Sequence, residues 1–192
     1  MKAKEIIIKA MRRAKEERGL RTAKPNETLS AGHMKKADHN LIVMTDLSKL
    51  GHEDWVVIAA YYAMYQSATA LLIRIGLESK DHATTAAVLE YFFGEHLTRE
   101  ALGSFNELKN KLDNIIIQDH YLDSLWSTKR AREAVQYGIS ITYKEKDTIM
   151  KNAREFVTKI KLVLNELDER LVEALTRKIN TLPRMDGVMG SR

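Results

Sequence analysis

Three tyrosines and one histidine are the first residues whose chemistry suggests a binding site. Tyr61, Tyr62 and Tyr65 lie in one strongly apolar stretch, and His82 follows near the start of a predicted helix. A tyrosine combines a large apolar ring with a hydroxyl that needs a partner when it is buried, and histidine changes its charge near neutral pH. We interpret these four side chains as candidate ligand-binding residues. The alternative is that the tyrosines fill the core and His82 caps a helix or supports a loop.

A second group of candidate residues is basic and lies later in the chain. Lys129, Arg130 and Arg132 are close together, and Gln136 follows Arg132 by four residues. Side chains four residues apart share a helix face, so Arg132 and Gln136 are predicted to face one cleft. Arginine binds phosphate oxygens through two parallel hydrogen bonds. We therefore predict a ligand-binding role for this group, with an ordinary salt bridge of Arg132 as the alternative.

The histidines of the chain do not have the spacing of a metal site. None of the six has an acidic residue three positions before it, and no two of them are four positions apart. The chain has no cysteine, which excludes disulfides and thiolate metal sites and favours a reducing cytoplasm. No phosphate-binding P-loop is present. We assign no metal ligand and no cofactor.

Helical periodicity surrounds these candidate residues. Apolar side chains recur every three or four positions over most of the chain, and both prolines, Pro25 and Pro183, lie outside those stretches. No stretch alternates for long enough with the period of two that is typical of a strand. The predicted fold is all-α, an up-and-down helical bundle with an extra N-terminal helix and a long C-terminal helix.

The chain is predicted to have four parts. These are a basic N-terminal helix over 1–24, a linker over 25–32, the bundle over 33–179 and a disordered tail over 180–192. The basic helix holds nine Lys or Arg residues against three Glu, which favours an acidic partner such as nucleic acid. A solvated helix face is the alternative. We expect this first part to be dispensable for folding.

Two predicted helices differ from the rest in composition or length. The helix over 53–75 is apolar on nearly all sides, which predicts the centre of the bundle, and its central tyrosines argue against a membrane span. The last helix, over 144–179, would be about 50 Å long. That length exceeds a small bundle, so we expect part of this helix to contact an added element or a second subunit.

Several segments, in order along the chain, resemble the HEPN domain, named for higher eukaryotes and prokaryotes nucleotide-binding. The Ala-Ala-Tyr-Tyr-Ala-Met-Tyr run over 59–65 is similar to the family's central helix, and Gly76 with Ser-Lys-Asp-His over 79–82 is similar to the turn after it. The Arg-Glu-Ala-Val-Gln-Tyr stretch over 132–137 and the run over 153–157 resemble the family's second half. The resemblance spans about residues 33–165.

The resemblance implies a dimeric helical protein that acts on RNA or a nucleotide. Many HEPN proteins are metal-independent ribonucleases, and often toxins partnered with a nucleotidyltransferase-type antitoxin. Their hallmark is an arginine and a histidine separated by four to six residues, and no such pair occurs in this chain. Arg132 fits the arginine position, but Gln136 and Tyr137 occupy the region of the histidine. Tyrosine titrates near 10 and is a poor general base.

These observations give one leading function and two alternatives. The leading function is a HEPN-type binding module for RNA or a nucleotide, or the toxin-like half of a toxin–antitoxin pair, without the usual ribonuclease motif. The first alternative is an active metal-independent ribonuclease that uses Arg132 and Tyr137 as catalytic residues. The second is a purely structural protein-interaction bundle. In each case we expect a cytoplasmic homodimer with no membrane attachment.

Overall fold

The computed structural model describes residues 3–15, 19–108, 110 and 143–182. Over these residues the protein is a helical bundle with one two-stranded antiparallel sheet, so the predicted all-α class is confirmed. The helices are α1 (Ala3–Arg12), α2 (Glu27–Lys49), α3 (Glu53–Arg74), α4 (His82–Phe93), α5 (described over 99–108), α6 (Tyr143–Glu166) and α7 (Glu169–Thr181). The strands are β1 (Leu20–Thr22) and β2 (Leu77–Ser79).

The helix α3 is the centre of the bundle, as its composition predicts. It contacts α2, α4, α6 and β2, and Val56, Ala60, Met64 and Leu71 are among its fully buried residues. Over Trp55–Arg74 it is long and apolar enough to cross a membrane, but 72% of the apolar window is buried inside the protein. Burial against other helices is what the core helix of a soluble bundle shows.

Two contacts fix the directions of the long helices. Ser30, near the start of α2, donates a hydrogen bond of 2.8 Å to the carbonyl of Ala70 near the end of α3, so these helices are antiparallel. Lys146, in the first turn of α6, forms a 3.0 Å ion pair with Glu53 at the start of α3. The helix α6 therefore runs parallel to α3.

Side chains cap the starts of α4 and α5. Asp81 is the N-cap of α4, where its carboxylate accepts a 2.8 Å hydrogen bond from the backbone N–H of Thr84. This helix ends at Gly94. At the start of α5, the hydroxyl of Thr98 accepts a hydrogen bond from the N–H of Ala101 at 3.3 Å.

The helix α2 begins inside the segment that was predicted as a linker over 25–32. It starts at Glu27, and the side chain of Asn26 accepts a hydrogen bond from the N–H of Leu29. Asparagine is among the preferred N-cap residues, so Pro25 and Asn26 mark the start of a helix here. The residues from Glu27 onwards are helical.

A short sheet is present where no strand was predicted. The strands β1 and β2 pair in antiparallel register, with Leu20 opposite Ser79, and each has three residues, too few for a pattern of period two to be visible. Gly76 precedes β2 with a φ of +79°, and a Cβ at this position would lie 2.6 Å from the carbonyl oxygen of Ala23. The sheet therefore depends on close backbone approach between its two connecting segments.

The N-terminal helix is shorter than predicted and belongs to the core. It covers Ala3–Arg12 rather than the predicted 1–24, and it packs against α4. Ile7, Ile8 and Ala10 are buried, and Ile7 and Ala10 share the main core with the buried Leu20 of β1. This packing argues against the expectation that 1–24 is dispensable for folding, because removing the segment would expose core side chains to water.

The predicted single helix over 144–179 is two helices. The first ends at Glu166, and Asp168 caps the second by accepting a 2.8 Å hydrogen bond from the N–H of Leu171. Apolar residues continue at helical spacing across the break, which is why periodicity alone did not reveal it. The length of the last helix is therefore no longer a reason to expect contact with a second subunit.

The break also changes which side chains of the last helix face the core. Leu171 is 49% exposed, whereas Val172 and Ile179 are buried. The helix α7 continues to Thr181, and Leu182 after it is buried, so the first residues of the predicted tail over 180–192 are ordered. The remainder of that tail lies outside the described residues.

Candidate functional site

Three of the four residues in the first predicted group lie together in the structure. The hydroxyl of Tyr61 forms a hydrogen bond with the imidazole of His82. The rings of Tyr61 and Tyr65 are nearly parallel with centroids 6.0 Å apart, and the rings of Tyr65 and His82 have centroids 4.7 Å apart. We call Tyr61, Tyr65 and His82 the tyrosine–histidine cluster.

Local structure explains how the tyrosine–histidine cluster forms. Tyr61 and Tyr65 are four residues apart on α3 and therefore share a face of the helix. His82 is the first residue of α4, and the cap of that helix by Asp81 holds it beside α3. Tyr61 is 1% exposed, and its ring also stacks on Phe105 at 6.2 Å. Such a buried ring has no open face for a ligand, and its hydroxyl holds the imidazole of His82.

Tyr65 is the partly exposed tyrosine of the cluster. Its hydroxyl donates a long hydrogen bond of 3.5 Å to the carbonyl oxygen of Ser79. Burial raises the pKa of the Tyr65 phenol above 10.0, and the charge of the nearby Asp81 carboxylate acts in the same direction. At physiological pH this phenol is therefore neutral and serves as a hydrogen-bond donor, not as a base.

Tyr62 is the most exposed of the three predicted tyrosines. It is 42% exposed, and its ring meets Tyr61 in an edge-on contact with centroids 5.5 Å apart. Seven residues earlier on the same side of α3, Trp55 is 60% exposed. Tyr62 thus belongs to the solvent-exposed face of α3.

A cleft of about 240 Å³ opens beside the cluster, between the sheet and the helices α2 and α3. Three of its lining residues, Arg21, His33 and Lys80, carry side chains that are or can become cationic, and Glu78 is the acidic residue among them. We call this cleft the basic cleft. Its charge suits an anionic group, because cations in a partly enclosed site attract anions more strongly than cations in open water do.

Two hydrogen bonds connect the basic cleft to the tyrosine–histidine cluster. Thr69 and Ser79 line the cleft. The hydroxyl of Thr69 donates a 2.9 Å hydrogen bond to the carbonyl of Tyr65, and the hydroxyl of Tyr65 contacts the carbonyl of Ser79. The cluster therefore forms part of the support of the cleft wall.

Two cleft residues are held in place by contacts outside the cleft. The Nδ1 of His33 lies 2.6 Å from the side-chain oxygen of Gln66, and this hydrogen bond holds the imidazole at the cleft wall. The Nε of Arg21 donates a 2.8 Å hydrogen bond to the carbonyl of Ala14. This bond anchors the guanidinium, whose terminal nitrogens are the donors that grip a phosphate.

The basic cleft was not predicted from the sequence. Arg21 lay in the predicted basic N-terminal helix over 1–24, and its position follows from the unpredicted pairing of β1 with β2. His33 and Gln66 are far apart in the chain and meet because α2 and α3 are antiparallel. No local spacing rule brings such residues together, so only the tertiary fold reveals them.

The second predicted group cannot be placed in the same way. Lys129, Arg130, Arg132, Gln136 and Tyr137 all lie outside the described residues, and their ligand-binding and catalytic roles stay predictions. Within the described parts of the chain, no group of three or more His, Asp or Glu side chains is arranged to hold a metal ion.

Comparisons with known proteins give one match. Residues 31–166 match the HEPN domain, while no curated protein and no solved structure matches the chain. The matched segment covers more than half of the chain and includes the tyrosine–histidine cluster and, in the basic cleft, His33 and Lys80. It agrees in extent with the resemblance read from the sequence and with the observed helical fold. The chain therefore belongs to the HEPN domain family.

Proposed function

We propose that this chain is a HEPN-type binding module for RNA or a nucleotide, and that the basic cleft takes a phosphate of that ligand. The observation that carries the proposal is the convergence of Arg21, His33 and Lys80 on one cleft beside the central helix. Family membership supports a nucleotide- or RNA-related module in general. The cleft supplies the cationic side chains that the phosphate of such a ligand requires.

The size and charge of the basic cleft favour a part of a nucleotide over a whole drug-sized molecule. Its volume of about 240 Å³ is just below the range of roughly 300–1,000 Å³ that is typical of drug-sized ligand pockets. A phosphate with part of its sugar is of suitable size, and the base would then lie outside. Arg21 offers a bidentate grip, and Lys80 adds a point charge.

Binding is favoured over cleavage by the groups in this part of the molecule. RNA cleavage requires proton transfer at the 2′-hydroxyl and the leaving oxygen. The phenol of Tyr65 is a poor base because its pKa is raised, and His82 is engaged by Tyr61. The ribonuclease alternative depends on Arg132 and Tyr137, and cleavage of single-stranded RNA lost in both Arg132→Ala and Tyr137→Phe would establish it.

The test of the proposed function is binding of labelled RNA and of a labelled nucleotide, measured by fluorescence anisotropy. The double variant Arg21→Ala with Lys80→Ala should weaken binding about tenfold or more and reduce its salt dependence, since two phosphate-neutralising cations are removed. The control is Arg177→Ala with Lys178→Ala, which removes two exposed cations from α7. Equal binding by the two double variants, or no binding by the unmodified protein, would refute the proposal.

We also propose that the protein is a cytoplasmic homodimer, in keeping with the family's habit and the cysteine-free sequence. Leu162 on α6 and Leu171 on α7 are large apolar side chains exposed in the single chain, which supports an interface there. Sedimentation should give about twice the 22.0 kDa of one chain, and Leu171→Lys should favour the monomer. Only monomer at tens of micromolar would contradict this.

We propose a toxin-like role for the protein, with a nucleotidyltransferase-type antitoxin as its partner. The support is the family's habit alone. Co-expression with the product of a neighbouring nucleotidyltransferase gene should yield a complex that survives gel filtration. Absence of such a gene, or of the complex, would remove this part of the proposal.

A further inference from the structure

One exposed face of α3 continues from the basic cleft towards the start of the helix. Trp55, Tyr62, Gln66 and Thr69 follow one another at spacings of seven, four and three residues, and therefore fall on the same side of α3. Thr69 lines the basic cleft, and Gln66 holds the imidazole of His33, which also lines it. We call the surface from Trp55 to Thr69 the α3 track.

The outer part of the α3 track is aromatic and open to solvent. Trp55 is 60% exposed and Tyr62 is 42% exposed. Seven residues of helix separate them by about 10 Å along the axis, and Thr69 lies about another 10 Å further on. The edge-on contact with Tyr61 supports the ring of Tyr62 from the core side. Two aromatic rings thus lead towards a cationic cleft.

The arrangement of two aromatic rings followed by a cationic cleft discriminates among the ligands that could occupy the α3 track. A mononucleotide in the basic cleft is too short to reach Trp55, about 20 Å away along the axis. Duplex RNA keeps its base faces stacked inside the helix and presents no face to the rings. An apolar peptide would use the rings but leave the cations of the cleft unused. A single strand has both free base faces and phosphates, and its bases stack on aromatic side chains.

We propose that the α3 track binds single-stranded RNA, with bases stacked on Trp55 and Tyr62 and a phosphate of the same strand in the basic cleft. This inference rests on the proposed function. It adds that the RNA must be single-stranded and that it runs along α3 from Trp55 to the basic cleft. The rings supply contact with the bases that does not depend on sequence, and the cleft supplies the salt-dependent contact.

The experiment compares three ligands by anisotropy: a twelve-nucleotide adenine-rich RNA, the same strand annealed to its complement, and adenosine monophosphate. Trp55→Ala and Tyr62→Ala should each weaken single-strand binding about tenfold, because each removes one stacking surface. Binding of the monophosphate should not change in Trp55→Ala, since a mononucleotide in the basic cleft does not reach that ring. The duplex should bind more weakly than the single strand. Ile42→Ala on α2 is the control, because Ile42 is 60% exposed, as Trp55 is, and lies outside the α3 track and the proposed subunit interface.

The outcomes separate this inference from the proposed function. If the two aromatic variants bind the single strand normally while Arg21→Ala with Lys80→Ala does not, phosphate binding in the basic cleft is supported. RNA binding along the α3 track is then refuted. Equal binding of duplex and single strand would also refute the track. If the aromatic variants instead turn a dimer into a monomer in sedimentation without loss of RNA affinity, the rings form a subunit interface. If none of the three ligands binds, both proposals fall.

Discussion

The hydroxyl of Tyr61 contacts the imidazole of His82 and thereby joins the middle of α3 to the first residue of α4. Because this hydroxyl is buried, losing the hydrogen bond should cost about 1–2 kcal/mol. Tyr61→Phe is therefore expected to lower the free energy of unfolding by that amount in urea titration. The matched control is Tyr62→Phe, whose exposed ring should tolerate the change. Equal stability of the two variants would show that the contact is energetically neutral.

Gly76 and Gly51 form a second matched pair. Both have a positive φ, +79° and +77°, which disfavours any side chain by about 1–2 kcal/mol. A Cβ at Gly76 would also lie 2.6 Å from the carbonyl oxygen of Ala23, whereas a Cβ at Gly51 would meet nothing within 4 Å. Gly76→Ala should thus be destabilised by about 1–3 kcal/mol more than Gly51→Ala. Equal melting temperatures would mean that the backbone near Ala23 moves freely.

The phenol of Tyr65 should make stability depend on pH in the alkaline range. Burial raises its pKa above the 10.0 of an unperturbed phenol, so the folded protein holds this proton more tightly than the unfolded chain. The stability from this difference is present below about pH 10, and it is lost as the pH rises through the folded-state pKa. Between pH 8 and 11, Tyr65→Phe should therefore lose less unfolding free energy than the unmodified protein. Parallel curves would contradict the assignment.

The N-terminal segment should be required for stability. Ile7 on α1 is fully buried in the main core, and truncation to Ala there is expected to cost about 2–5 kcal/mol. Lys9→Ala on the exposed side of the same helix is the control, with an expected change within about 0.5 kcal/mol. A chain that begins at Pro25 should melt at a clearly lower temperature. An unchanged transition would restore the view that this segment is an independent arm.

The sequence predicted elements whose signals are local. The helix α4 illustrates this, because Asp81 caps its start and Gly94 ends it, both within a few residues of the periodic stretch. The break at Asp168 was missed because the apolar spacing continued across it. Part of the tyrosine–histidine cluster could be foreseen, since Tyr61 and Tyr65 share a helix face. The basic cleft could not, because its walls come from segments far apart in the chain.

Because β1 pairs with β2, the basic cleft is lined by residues from inside and outside the matched domain. Arg21 on β1 precedes the part of the chain that matches the HEPN domain, whereas His33 and Lys80 lie within that part. A HEPN domain that lacks this N-terminal extension would keep His33 and Lys80 and lose the anchored guanidinium of Arg21. Ligand preference at this cleft would then depend on the N-terminal segment, which precedes the matched domain and packs against it, as well as on the residues of the domain itself.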